Sequence, residues 1–459
     1  MKVLFVLDNY IKFYSIDDVV RTLYARGHTV SIVMGMKQKE NFPYDVIQSV
    51  RRDLPGLEIF PILVRRFWRR TTLTMRELLN YISILDHEQE RAWDVVKWKR
   101  FFSPVVWWLV NTLYGRSLMR KASFQERLRN WERKIPVDGR IKRWLKSQAP
   151  DVVILSPLIN PASVEADYLQ AALALKIPSV YALYSWDNLT SKGTFHSVPD
   201  HSFVWSRSLA LDLTKWHNIP PQQIIVTGAP RFDPWFEGKL SQDRNEFCKL
   251  AGLDSQKPIV LYVCSTFLVD SNYKKEVSEA TIISEISSAL QQHPETQDFQ
   301  ILVRPHPTNS QKVIESIIAL NDARVHVYPL RGEFPDSDER RRMLYNSIHH
   351  SQAVAGVNTT AFLEAAILDK PCITIWVPRF EQTQMLPHFH HLADADFLDT
   401  ANGSHEVPKI LMQLMDGRDE RAGKRRRFVK DFIRPHGVEK PSAEAYADVI
   451  EKIFLKEEG

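Results

Sequence analysis

Three things are scarce in this sequence, and each absence excludes something. There are 3 cysteines in 459 residues, Cys248, Cys264 and Cys372, with no short spacing among them. An odd, unpatterned set argues against a disulfide framework or a zinc site and suits a reducing compartment. No apolar run approaches the roughly 18 residues of a spanning helix. The amino terminus MKVLFVLDNY is apolar only as far as Leu7 before it meets Asp8, too short for a signal-peptide core. The first strand-to-helix loop carries Asp8, Asn9 and Tyr10 with no GxGxxG, so a dinucleotide fingerprint is missing and an NAD enzyme is not expected. Internal repeats and low-complexity tracts are absent as well. These readings point to a cytoplasmic protein without a transmembrane segment.

What is present begins with an uneven charge. Residues 61–150 hold 20 Lys or Arg and 8 Asp or Glu, a net +12, although the whole chain is only +5. The remaining residues therefore sum to −7. The same stretch holds seven of the 12 tryptophans: Trp68, Trp93, Trp98, Trp107, Trp108, Trp131 and Trp144. Charge and aromatics gathered in one block suggest one surface with one job. Three readings fit: a face for anionic membrane, a nucleic-acid surface, or a helical insert that turns its tryptophans inward. RRFWRR at 65–70 and FFSPVVWW at 101–108 favour the membrane over nucleic acid.

Around that block the chain alternates strands and helices. A strand at 3–7, a helix at 16–26 ended by Gly27, and a strand at 29–33 make a βαβ opening. A strand is expected at 57–64, helices at 88–102 and 124–146, then a strand at 151–155. A helix at 162–175 and strands at 179–184, 202–205 and 224–226 follow. The turn-rich 228–233 reads as a domain junction. A second series has strands at 259–264, 301–304, 325–328, 353–357 and 372–376, with helices at about 278–291, 311–320, 339–351 and 361–368. A last helix, 443–454, places Tyr446, Ile450, Ile453 and Phe454 on one face. The expected fold is α/β: two tandem Rossmann-like domains with a cleft between them. The first covers 1–230 with a helical insert at about 65–148, the second 231–436, and a terminal helix lies in 437–459.

Four segments could carry chemistry. Residues 300–307, QILVRPHP, would deliver Arg304 and His306 to the carboxyl edge of a parallel sheet, where open α/β folds bind ligands. Arginine offers a rigid fork for phosphate, and histidine a further hydrogen bond or a proton. The plainer reading is an arginine bonded to loop carbonyls. In 355–371, AGVNTTAFLEAAILDKP, a buried strand gives way to Asn358, Thr359 and Thr360, residues that cap helices and leave first-turn N–H groups for an anion. Glu364 could accept from both ribose hydroxyls, or be an ordinary solvated glutamate. The loop 184–193, YSWDNLTSKG, crowds Trp186, Asp187, Asn188, Thr190 and Lys192 before Gly193, which permits a tight backbone. Asp187 could take a proton from an acceptor hydroxyl and Lys192 could neutralise a phosphate; an Asx turn is the alternative. Asp8 is the rival base, with Asn9 and Tyr10 beside it to position an acceptor. Ser265 and Thr266, after the first strand of the second half, could touch a phosphate. His388, His390 and His391 have HxH spacing, but no cysteine or carboxylate set completes a metal site. KRRR at 424–427 reads as a solvated helix face.

Taken together, TGAPRFD at 227–233, RPHP at 304–307 and NTT…E…KP at 358–371 resemble GT-B glycosyltransferases, in particular bacterial surface-polysaccharide transferases and the CDP-glycerol glycerophosphotransferase-like group. The similarity covers roughly 151–371. That group usually offers a histidine in its first loop, where this chain has Asp187, and a serine-rich turn where it has Asn358–Thr360. The resemblance implies a transfer needing no metal or other cofactor. Its donor diphosphate would lie on Asn358, Thr359, Thr360, Arg304 and His306, with the ribose on Glu364. Asp187 or Asp8 would be the base, and Asn9, Tyr10, Trp186, Asn188 and Lys192 would face the acceptor. The implied partners are a nucleotide-activated donor, a lipid-linked or saccharide acceptor and, through 61–150, the inner face of an anionic membrane, with no nucleic acid. Glycerophosphate transfer from CDP-glycerol, nucleotide-sugar epimerisation and a non-catalytic scaffold are the alternatives.

Overall fold

The structure, a computed structural model, describes residues 1–35, 50–91, 94–95, 98–265, 278–335 and 337–455. The chain forms two compact units, one of residues 1–231 with 431–459 and the other of residues 232–430.

The first unit is built on seven parallel strands: β1 (Lys2–Leu7), β2 (Thr29–Met34), β3 (Glu58–Pro61), β4 (Val152–Ser156), β5 (Ser179–Ala182), β6 (His201–Val204) and β7 (Ile224–Val226), in the order β3-β2-β1-β4-β5-β6-β7. Runs such as VVILS in β4 are buried throughout, because helices cover both faces of a parallel sheet. The strand order reverses between β1 and β4, and the loops leaving their carboxyl ends open the crevice where such sheets take ligands. Helix α1 (Asp17–Ala25) lies against this sheet. The last helix, Ser442–Phe454, also docks here: Tyr446 and Ile450 join the core, and Arg26 reaches Asp448 at 2.7 Å and Glu451 at 2.9 Å.

Between β3 and β4 the chain is helical: α2 (Arg69–Leu85), α3 (Pro104–Asn111), α4 (Leu113–Met119), α5 (Ala122–Lys134) and α6 (Gly139–Gln148). Tyr81, Ile82, Trp98, Val110, Met119 and Leu128 form its own small core. Buried ion pairs tie it to α7 (Glu165–Leu175), Arg65 to Asp167 at 2.9 Å and Arg76 to Asp167 at 3.0 Å, and Arg76 also pairs with Glu132 of α5 at 2.9 Å. Two expectations need correction. Within 88–102, residues 88–91 form no helix, Asp94 and Val95 are α-helical, and Trp98–Phe101 make a short 3₁₀ turn. The helix expected over 124–146 is broken, because Pro136 cannot continue a helix and Asp138 restarts one by accepting from the N–H groups of Arg140 and Ile141. The tryptophans divide: Trp98 is fully buried, whereas Trp68, Trp108 and Trp131 are more than half exposed.

The second unit has six parallel strands: β8 (Ile259–Val263), β9 (Gln300–Arg304), β10 (Val325–Val327), β11 (Ala353–Gly356), β12 (Cys372–Ile375) and β13 (Leu398–Ala401), ordered β10-β9-β8-β11-β12-β13. Its order reverses between β8 and β11. Residues Ser265 and Asn358 therefore leave the sheet on either side of that crevice, with Arg304 one strand further on.

Candidate functional site

In the second unit the RPHP segment sits at the end of β9. Arg304 is only 4% exposed, and neither terminal nitrogen has a hydrogen-bond partner among the described residues. Burial pulls its pKa down to about 10, and the nearby charges of Glu333 and Glu364 offset this only in part. The guanidinium is thus charged at neutral pH with donors unused. His306 follows on a fixed loop: its backbone N–H donates to Asn309 Oδ1 at 2.7 Å, and Asn309 Nδ2 donates to the Ser265 carbonyl at 3.2 Å. The Thr308 N–H donates to His306 Nδ1 at 3.1 Å, so the ring proton belongs on Nε2. Burial depresses the imidazole pKa to about 4, which makes the ring a neutral donor at physiological pH. Gly332 packs so close that a β-carbon there would lie 2.1 Å from the His306 carbonyl oxygen.

Across the crevice, Asn358 and Thr359 precede helix α8 (Ala361–Ile367). The cap differs from expectation. Thr360 makes no side-chain cap bond; Thr359 Oγ1 accepts from the Ala361 N–H at 3.2 Å, and Asn358 Nδ2 is committed to the Thr383 carbonyl at 2.7 Å. Glu364 is buried at 4% exposure rather than solvated. Ser265 is a brace: its N–H and hydroxyl donate to Glu279 at 2.9 and 3.3 Å, and its Oγ accepts from the Asn358 N–H at 3.3 Å. Glu279 also receives the Tyr262 hydroxyl at 2.9 Å, and burial raises its pKa to about 7. Nothing in the sequence marked Glu279, which lies 14 positions beyond Ser265. Thr266 lies outside the described residues.

In the first unit the loop after β5 lines a cavity of about 310 Å³, together with Lys12, Trp98, Arg100, Phe101 and Asn160. Asp187, Asn188 and Lys192 all face it. Asp187 accepts from the Ser191 hydroxyl at 2.9 Å and lies 3.8 Å from Lys192 Nζ. The backbone of Asp187, not its carboxylate, accepts from the Thr190 hydroxyl at 3.4 Å. Gly193 is needed at its place: a β-carbon there would lie 2.3 Å from Asn80 Oδ1, which accepts from the Thr194 N–H.

Three acceptor-side expectations are corrected. Tyr10 is a core residue, packed with Phe13 and Val19 behind β1. Trp186 is 2% exposed and absent from the cavity lining. Asn9 caps the turn after β1, accepting from the Ile11 N–H at 3.1 Å and donating to Asp8 at 2.8 Å. Asp8 lies beside Glu165, a fully buried carboxyl whose pKa burial, with the added repulsion of Asp8, lifts to about 8. Neither lines the cavity that holds Asp187. The lining residues Lys12 and Asn160 carried no sequence signal, while Trp98 and Arg100 lay in the basic, tryptophan-rich block.

No protein-family model matches the chain, and neither does any curated protein. Solved structures do. A glycosyltransferase from Rickettsia africae superposes with a TM-score of 0.54 at 12% identity, covering 99% of this chain and 99% of that one. The UDP-GlcNAc 2-epimerase of Neisseria meningitidis, bound to UDP-GlcNAc, gives 0.53 at 12% identity over 98% of this chain and 100% of its own. That of Methanocaldococcus jannaschii gives 0.54 at 13% over 98% and 100%. At such identities the likeness is one of fold: the chain has the two-domain GT-B architecture that its motifs implied.

Proposed function

We propose that this protein is a GT-B glycosyltransferase that moves a sugar from a nucleotide-activated donor to the hydroxyl of a membrane-associated or lipid-linked acceptor, in the assembly of a surface polysaccharide. One observation carries the reading: Arg304 is buried at the carboxyl edge of a parallel sheet with both terminal nitrogens unpartnered among the described residues. An unsatisfied buried charge is costly, so a site retaining one is built to receive an anion. The donor's diphosphate answers that need, with His306 Nε2–H as a second donor and the Thr359 and Thr360 N–H groups across the crevice, where the Asn358 N–H is held by Ser265 Oγ. Glu364 takes the ribose hydroxyls.

Asp187 is assigned as the base, because it faces a cavity and Asp8 does not. It accepts the acceptor's hydroxyl proton as that oxygen bonds to the sugar's anomeric carbon. The bond to the nucleotide breaks, and the leaving diphosphate is stabilised by the fixed charge and N–H donors around Arg304. No metal is assigned a role. Membrane association is supported by exposed Trp68, Val105, Trp108, Leu109, Leu113 and Tyr114 within the net +12 segment. No helix of the described residues is long and apolar enough to cross a membrane, so the attachment proposed is peripheral, at the inner face.

The donor site equally suits a nucleotide-sugar epimerase, the activity of two of the proteins compared above. Product analysis separates the two. Conversion of a nucleotide sugar to its epimer with no acceptor present would establish the second reading. The first test is a thermal-shift and calorimetric screen against UDP, GDP, CDP, ADP and CMP. One nucleotide should bind, and the binding should be lost in His306→Ala and Arg304→Met; failure of all five sinks the proposal.

A further inference from the structure

We infer that the cavity of the first unit binds the phosphate-bearing end of a saccharide acceptor, with Lys12, Arg100 and Lys192 as its anion contacts; this rests on the transferase reading above. Three cations line a space of about 310 Å³ that contains one carboxylate, Asp187. A neutral glycan would gain little from that excess of positive charge, whereas a phosphate neutralises it. The cations are held in place. Lys12 Nζ stands 3.7 Å from the centre of the Tyr184 ring, and the Arg100 guanidinium carbon 4.9 Å from that of Phe101. These contacts hold the side chains through ring quadrupoles and leave N–H donors available.

The remaining lining suits a sugar. Trp98 and Phe101, with ring centres 5.1 Å apart and planes 54° to each other, offer an apolar wall, and Ser185, Ser191 and the two asparagines offer polar groups. Asn188 is only 2% exposed, and its Nδ2 has no hydrogen-bond partner among the described residues; Asn160 Oδ1 has none either. A buried amide donor and a buried amide acceptor left open in one cavity match a ligand hydroxyl, which both donates and accepts. The volume lies at the low end of small-molecule sites, about 300–1,000 Å³, so a single sugar phosphate fits and a lipid chain does not. The chain offers that lipid a path. Trp98–Phe101 runs within three residues into α3, where Val105, Trp108 and Leu109 are each at least half exposed. From 97 to 121 the sequence has six Lys or Arg and no Asp or Glu.

The test uses the full chain and calorimetry with N-acetylglucosamine 1-phosphate, N-acetylglucosamine, and the farnesyl diphosphate ester of the same sugar in neutral detergent. The phosphorylated sugar should bind at least tenfold more tightly than the plain one. Lys12→Met, Arg100→Met and Lys192→Met should each weaken it at least fivefold, with nucleotide affinity and melting temperature unchanged. Arg304→Met should leave it intact. Tighter binding of the farnesyl ester than of the free sugar phosphate identifies a lipid-linked source; equal binding identifies a soluble one, and either supports the site. Equal affinity for plain and phosphorylated sugar overturns the inference, as does phosphosugar binding indifferent to all three substitutions. Nucleotide binding without phosphosugar binding overturns it alone. Loss of both overturns the transferase reading with it.

Discussion

Arg304→Met should make the unliganded protein more stable and abolish nucleotide binding, and the two effects can be sized separately. Methionine keeps most of the buried stem while removing a charge whose terminal donors have no partner among the described residues. Burial pulls the guanidinium pKa down to about 10, which at about 1.36 kcal/mol per unit is about 3 kcal/mol against the charged form. Glu333 and Glu364 lose a favourable neighbour in the variant, so the net gain should be about 1–3 kcal/mol, in the range for an unsatisfied buried group. For a unit of this size that is about 2–4 °C in melting temperature per kcal/mol. Binding moves the other way. Two charge-assisted bonds to a diphosphate at about 1.5–3 kcal/mol each predict at least a hundredfold loss of affinity. Urea unfolding of the unliganded protein and calorimetry with the cognate nucleotide measure the two terms. Arg304→Lys, which keeps charge without the fork, should fall between. If Arg304→Met is less stable than the parent and binds nucleotide normally, the arginine is structural and the donor-site argument fails.

Three other variants test the surrounding reasoning. Glu279 titrates near 4.5 unfolded and at about 7 folded. The folded state therefore holds the extra proton, so its stability is full below pH 4.5 and falls as pH rises through 7, by about 3 kcal/mol in all. Glu279→Gln should remove that slope, seen as urea midpoints that diverge from the parent's between pH 5 and 8; parallel profiles refute it. Gly193→Ala drives a methyl into the buried Asn80 amide and should cost about 1–3 kcal/mol; an unchanged unfolding curve would show that the loop relaxes. Trp108→Ser with Leu113→Ser removes two exposed apolar anchors and should lower partition onto anionic vesicles about a hundredfold, at about 1.5 kcal/mol per buried side chain. Equal sedimentation of parent and variant would remove the membrane from the proposal.

The parts of this molecule legible in its sequence are those where local pattern and burial coincide. Runs such as VVIL, IVLYV and ILV are apolar at every position because both faces of a parallel strand are covered, and each lies in a strand here. The sixth strand of the second sheet, Leu398–Ala401, was missed for the converse reason: LDTA lies at the sheet edge with a partly open face and offers no such run. The site divides similarly. Arg304 and His306 could be placed because strand and motif are contiguous, so the sheet edge was implied by the letters that precede them. Ser265 could not be read as a brace, since that role depends on Glu279, which lies 14 positions further along the sequence. Tyr10 and Trp186 were misread because a residue just past a strand can point to the crevice or back into the core, and only the packing of the folded chain decides which. Lys12, Arg100 and Lys192 come from three separate stretches of chain, and their shared cavity exists only once the helical segment after β3 folds its Trp98 inward. That dependence gives the helical segment a second role beside any surface it presents. Glu77 of α2 accepts from Trp98 Nε1 at 3.2 Å and from the Ala162 N–H at 2.7 Å, so one buried carboxylate holds the cavity's aromatic wall against the loop after β4. A segment set apart by charge and composition is therefore part of the site's frame, and deleting it should abolish acceptor binding even where no membrane is present.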